Sequence, residues 1–177
     1  MASLAVIFLL YQFMQVDTWT TQRYINSVSM VPHHENNISY DEKSGVYTIR
    51  MDSDRDFRIL QLTDIHLGAS VLSARQDKKA LSAIYTLINH TRPDLVIVTG
   101  DMSFPLGVMS FSFNNSAPVE QFASFMRNIG IPWAFTYGNH DTEFIASDSA
   151  AEIDRIYQSL SYKRSGTLLY PYTQPPI

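Results

Sequence analysis

Apolar residues follow three different rhythms along this chain. Leu4 to Leu10 is an almost unbroken aliphatic run, and no charged side chain occurs from Met1 to Val16. Val46 to Ile49 alternates, which is the period of a half-buried strand. Further on, short apolar runs take turns with longer stretches of 3.6-residue period. Phe57 to Thr63 reads as a strand carrying Ile59, Leu60 and Leu62. Ser73 and Gln76 have the spacing of a capping box, opening a helix to about His90 with Leu81, Ile84, Leu87 and Ile88 on one face. Asp94 to Thr99 holds Leu95-Val96-Ile97-Val98, a run expected of a strand buried on both faces. After a long loop, Ala117 to Ile129 reads as a helix with Val119, Phe122, Phe125 and Met126 inward and Gly130 as its C-cap. Trp133 to Tyr137 is a further strand, and Ser149 with Glu152 opens a helix to about Leu160. This alternation predicts an α/β fold with parallel strands and right-handed crossovers.

The same rhythms divide the chain. Residues 1–16 read as a hydrophobic signal or membrane-anchor segment, shorter than the roughly 20 residues of a spanning helix. Residues 17–44 read as a polar linker rich in Thr, Asn, Ser and His and broken by Pro32. Its His33-His34 pair has no accompanying carboxylate cluster and is read as solvated. Residues 45–177 form the domain. A membrane-anchored or secreted location follows, with membrane association through residues 4–14. The net charge of -4 and the lack of a Lys/Arg run give no nucleic-acid-binding signature. The absence of cysteine excludes disulfides, thiolate metal sites and a Cys nucleophile.

Chemistry gathers at the strand ends. Asp64-Ile65-His66 follows the first core strand, Gly100-Asp101 the second and Gly138-Asn139-His140-Asp141 the third. In parallel sheets such ends converge on one edge. Asp64 and His66 can grip one ion together if their loop stays extended. The glycine before Asp101 lets the chain turn so that both carboxylate oxygens reach inward and bridge two cations. Asn139 offers a neutral amide oxygen. Oxygen and imidazole ligands without thiolate suit Mn, Fe, Zn or Mg. His140 is the candidate acid, and Asp141 the residue to hold its imidazole in one tautomer.

These motifs, over roughly residues 57 to 145, resemble the calcineurin-like metallophosphoesterase superfamily. The resemblance implies a β-sandwich flanked by helices, a phosphoester substrate and a centre of two divalent or trivalent metal ions, Mn, Fe or Zn. It puts Asp64 and His66 on the first metal, Asp101 between the two and Asn139 on the second. His140 would protonate the leaving group and Asp141 would orient it. A hydroxide held between the metals would attack phosphorus in line. The third motif with Thr142 and Glu143 looks like an extracytoplasmic branch near the purple acid phosphatases. His66 stands where those enzymes have glycine, and Phe104 where their iron-binding tyrosine follows. The family also uses an isolated histidine and then a Gly-His-x-His set further on, and no histidine follows His140. The expectation is therefore that only the N-terminal half of the domain is present, inactive by itself. A non-catalytic binding scaffold on the same fold is the alternative. An unrelated nucleotide-binding module ranks below both, because no glycine-rich phosphate loop follows the first strand. The aromatic loop Met102 to Asn115 is expected to pack rather than line a pocket. Sequons occur at Asn37, Asn89 and Asn114.

Overall fold

The computed structural model describes residues 2–14, 21–34, 36–51, 54–106, 112–164 and 166–171. Helix α1 (Ala2–Met14) carries no charge. Its Leu4, Ile7, Phe8 and Leu9 are all more than half exposed. Near its end the Tyr11 ring lies 5.4 Å from that of Phe113. Among the described residues no helix is long and apolar enough to cross a membrane.

Residues 21–34 and 36–44 of the stretch read as a linker belong instead to the fold, and residues 17–20 and 35 lie outside the described residues. A short helix α2 (Gln22–Ile25) is followed by β1 (Asn37–Asp41), which pairs antiparallel with β2 (Val46–Arg50). Ile25 and Val31 are wholly buried in the core. The Asn128 amide donates to the Ile25 carbonyl at 2.8 Å, and Val31 N donates to the Ile129 carbonyl at 3.0 Å. Two isolated apolar residues in a polar stretch have no period, so pattern reading does not find them. His33 sits with Nδ1 2.9 Å from the Val31 carbonyl, while His34 is exposed.

The remaining elements run β3 (Ile59–Leu62), α3 (Ala74–Thr91), β4 (Leu95–Thr99), α4 (Ser116–Ile129), β5 (Trp133–Thr136) and α5 (Ala150–Ser159). The three strands form one parallel sheet in the order β3-β4-β5. The result is a mixed α/β fold consistent with part of a metallophosphoesterase domain. Register puts Leu60, Leu62, Val96, Val98, Trp133 and Phe135 on one face. They share the core with Leu81, Ile84 and Ile88 of α3 and Val119, Phe122 and Met126 of α4. Both helices therefore cover the same face, as right-handed crossovers in an in-order sheet require. The other face, with Leu95 and Ile97, is only half-covered, and Ile59 is 55% exposed. The expected burial of Leu95–Val98 on both faces holds for Val96 and Val98 alone.

Helix ends explain several boundaries. Glu152 accepts from the backbone N and Oγ of Ser149 at 2.8 and 2.7 Å, so the expected capping box opens α5. The Ser73–Gln76 box does not form. The Ser73 hydroxyl turns instead to Asp77 at 2.8 Å. The Asn114 amide oxygen takes Ser116 N and Ala117 N at 3.0 and 2.8 Å, capping α4 from one residue further out. That role buries Asn114 and removes it as a glycosylation acceptor.

Asp94 ties the hairpin region to the sheet. It is buried and accepts from Arg55 at 2.7 Å, from Asn36 at 3.1 Å and from Arg58 N at 2.9 Å. The Arg55 hydrogen bond, assisted by those of Arg58 N and Asn36, holds its carboxyl far below the usual carboxylate range. A carboxyl depressed on folding adds stability above its unfolded pKa of about 4, and that stability fades as pH falls below it. Asp94→Asn is thus expected to melt well below the parent at pH 7, with the gap narrowing between pH 5 and pH 2. Thermal melts across that range check this; a gap independent of pH would contradict it.

Candidate metal centre

Just past β3 and β4 the chain leaves the strand conformation but keeps the ladder. Asp64 N, His66 N and Leu67 N donate to the carbonyls of Gly100, Asp101 and Met102 at 3.3, 3.0 and 2.7 Å. Asp64, His66 and Asp101 all have left-handed backbones, with φ of 52°, 53° and 52°. Such conformations cost a non-glycine residue about 1–3 kcal/mol each and persist where the surroundings enforce them. Asp and His tolerate them better than most residues. The Asp64–His66 loop is therefore not extended as expected, yet Asp64 Oδ1 and His66 Nε2 come within 3.8 Å. Thr63 Oγ1 steadies the other carboxylate oxygen of Asp64 at 2.7 Å.

Asp77 pins the chain that follows His66. It is buried and accepts from Gly68 N and Ala69 N at 3.1 and 2.9 Å. Its burial raises the carboxyl above the usual range against the pull of those bonds.

The two motif glycines are pressed together. A Cβ on Gly100 would meet Gly138 Cα at 2.6 Å, and one on Gly138 would meet Asp101 Oδ1 at 2.1 Å. Only glycine lets the ends of β4 and β5 close so tightly around Asp101.

Asp141 is buried at 3% exposure beneath this junction. Its Oδ2 accepts from Asp101 N and Gly138 N, both at 2.8 Å. Its Oδ1 accepts from Ser103 N at 2.9 Å and Ser103 Oγ at 3.2 Å. The sequence reading placed Asp141 beside the His140 imidazole; the structure turns it away, because three backbone donors left by the strand ends need an acceptor.

What touches His140 is Glu143, whose Oε1 lies 2.9 Å from Nδ1. Sequence reasoning missed this residue. The three-residue spacing on a turn was the available clue. The backbone N of His140 donates to Asp101 Oδ1 at 2.9 Å, which fixes the third motif to the second. Phe104 lies between the two histidines, stacked on His66 at 4.7 Å and edge-on to His140 at 4.7 Å. The rings of His66 and His140 are 5.7 Å apart. The aromatic loop thus reaches the site through Phe104. His90, on exposed helix surface, takes no part.

One ligand atom each from His66, Asp101 and His140 lie within 4.8 Å of one another. Two donors about 2.1 Å from one ion stand at most about 4.2 Å apart, so small rotamer changes close His66 and Asp101 on a cation that His140 borders. The Asp64 carboxylate, 3.8 Å from His66 Nε2, adds an oxygen donor beside them. Asn139 is exposed on the turn just before His140. The donor chemistry fits a hard or borderline metal ion.

The family profile described as calcineurin-like phosphoesterase matches residues 57–174. The chain is 28% identical over 131 residues to an Arabidopsis thaliana protein named "Probable inactive purple acid phosphatase 28", covering 62% of this chain and 30% of that one. It is 26% identical over 110 residues to "Phosphatase DCR2" of Saccharomyces cerevisiae, covering 56% and 18%. It is 26% identical over 121 residues to a "Probable cyclic nucleotide phosphodiesterase" of Moraxella catarrhalis, covering 68% and 40%. The chain thus spans well under half the length of each of these curated relatives. No solved structure matches it. With all three motifs inside the matched residues and gathered on one sheet edge, the chain belongs to the calcineurin-like phosphoesterase family.

Proposed function

We propose that this sheet edge, completed by the further histidines that the family uses, holds two metal ions and hydrolyses a phosphoester. The observation that carries the reading is the convergence of His66, Asp101 and His140 from three separate strand ends. Asp64 and His66 would hold one ion and Asn139 the other, with Asp101 shared between them. When bound, the cations supply Lewis acidity toward the phosphate and lower the pKa of water.

The chain's own residues do the rest. Asp101 is the hinge of the site: its Oδ1 fixes the His140 backbone, and its carboxylate would hold the cation. His140 is close enough to touch whatever His66 and Asp101 hold. As water adds to phosphorus in line and the bond to the ester oxygen breaks, His140 delivers a proton to that departing oxygen. Phe104 shields one side of both imidazoles and limits their rotation.

A proton donor of this kind contributes on the order of 10²–10⁴ in rate. His140→Ala is therefore expected to slow hydrolysis of an alkyl phosphate by that factor while metal content stays unchanged. Parallel turnover and metal analysis check it. Loss of metal together with activity would make His140 a ligand rather than the acid. Full metal occupancy without hydrolysis in the parent protein would favour a binding scaffold on the same fold.

A further inference from the structure

We propose that Glu143 is the positioning residue of His140, holding the imidazole proton at Nδ1 so that Nε2 faces the substrate. The inference rests on the reading of His140 as the proton donor and adds a residue to it.

The geometry singles out Glu143. The Asp141 carboxylate already accepts from Asp101, Gly138 and Ser103, and it lies buried away from the imidazole. Glu143 Oε1 stands 2.9 Å from His140 Nδ1. A carboxylate can only accept here, so the shared proton sits on Nδ1. Nε2 is then the atom left for the substrate: in the imidazolium it carries the second proton, which goes to the departing oxygen and leaves the ring with its Nδ1 proton alone.

The pair is also built rather than casual. Glu143 N donates to the His140 carbonyl at 3.4 Å, and Ala146 N donates to the Glu143 carbonyl at 2.9 Å. The turn is thereby closed on both sides of Glu143. His140 N is fixed to Asp101, and the Phe104 ring meets the imidazole edge-on. Both side chains are about three-quarters covered, at 25% and 24% exposure. A freely exposed ion pair of this spacing would contribute little. Here the carboxylate sets ring orientation and tautomer, much as the buried aspartate of a serine-protease triad does for its histidine.

The test is the ring ¹⁵N spectrum of the full chain at neutral pH, with His140 assigned by its loss in His140→Gln. The parent is expected to show His140 protonated at Nδ1. Glu143→Ala is expected to shift it to the Nε2-protonated form that unrestrained imidazole favours. An Nε2-protonated ring in the parent, or an Nδ1 proton that survives Glu143→Ala, overturns the proposal. Should Glu143→Ala not fold, Glu143→Gln takes its place, with a mixture of tautomers expected. In the metal-loaded protein, Glu143→Gln is expected to lower kcat on an alkyl phosphate at least tenfold with little change in KM. The loss should shrink on p-nitrophenyl phosphate, whose leaving group needs no proton. Equal losses on both substrates would contradict a role through His140. Absence of hydrolysis by the parent would overturn the phosphoesterase reading while the ring spectrum still decides Glu143.

Discussion

Replacing Asp141 with alanine is expected to destabilise the protein by about 3 kcal/mol, and to weaken metal binding as a consequence. The carboxylate is the acceptor for Asp101 N, Gly138 N and Ser103 N, and it is buried. Its removal leaves those three backbone donors without it, and each unsatisfied buried donor costs about 1–3 kcal/mol. The same bonds hold the ends of β4 and β5 in contact, so Asp101 and Gly138 lose their fixed spacing. Urea unfolding should show a lowered midpoint with an unchanged slope. The result separates two roles. A residue that merely oriented His140 would leave stability intact and slow the reaction. An Asp141→Ala protein as stable as the parent would return Asp141 to that role.

Asp101→Asn is expected to have the opposite profile: a folded protein that no longer holds metal. Asparagine tolerates the left-handed backbone of this position, where φ is 52°. Its amide oxygen can still accept from His140 N, as Oδ1 does at 2.9 Å. What disappears is the negative charge and the second carboxylate oxygen. Loss of an outer partner alone costs metal affinity roughly 10–100-fold, and loss of a shared ligand should exceed that. Metal titration with a thermal melt alongside checks both halves. Undiminished affinity would remove Asp101 from the centre of the site.

The convergence of His66, Asp101 and His140 was legible in the sequence because these residues are local to strand ends. Asp64, His66, Asp101 and His140 each follow an apolar run, and a parallel sheet brings such positions to one edge without further information. Gly100 was equally readable, since the close approach of Gly138 beside Asp101 leaves no room for a Cβ. Direction was not legible. Asp141 neighbours His140 in sequence but turns to backbone donors of the loop after β4 and of its own turn, while Glu143 returns across the turn. Which acceptor meets which donor depends on how three loops close, and no single segment encodes that.

The fold divides along the same line. Helix α4 was readable from its apolar stripe, and α5 from Ser149 and Glu152. Ser73 had an equally good capping spacing, yet the buried Asp77 competes for its hydroxyl at 2.8 Å. Ile25 and Val31 enter the core from a stretch too polar to show a period, and they draw the apparent linker onto α4. Burial on both sheet faces was inferred from Leu95 to Val98, but both helices lie on one face, and composition cannot tell which face a crossover will cover.

The most direct test of a metal centre at this sheet edge is a calorimetric titration of the metal-free chain with Mn²⁺. The account predicts saturable binding of at least one ion per chain, abolished in Asp101→Asn. Heats no larger than those of Asp101→Asn, in a protein that melts cooperatively, would show that the converging side chains hold no metal and would contradict the account.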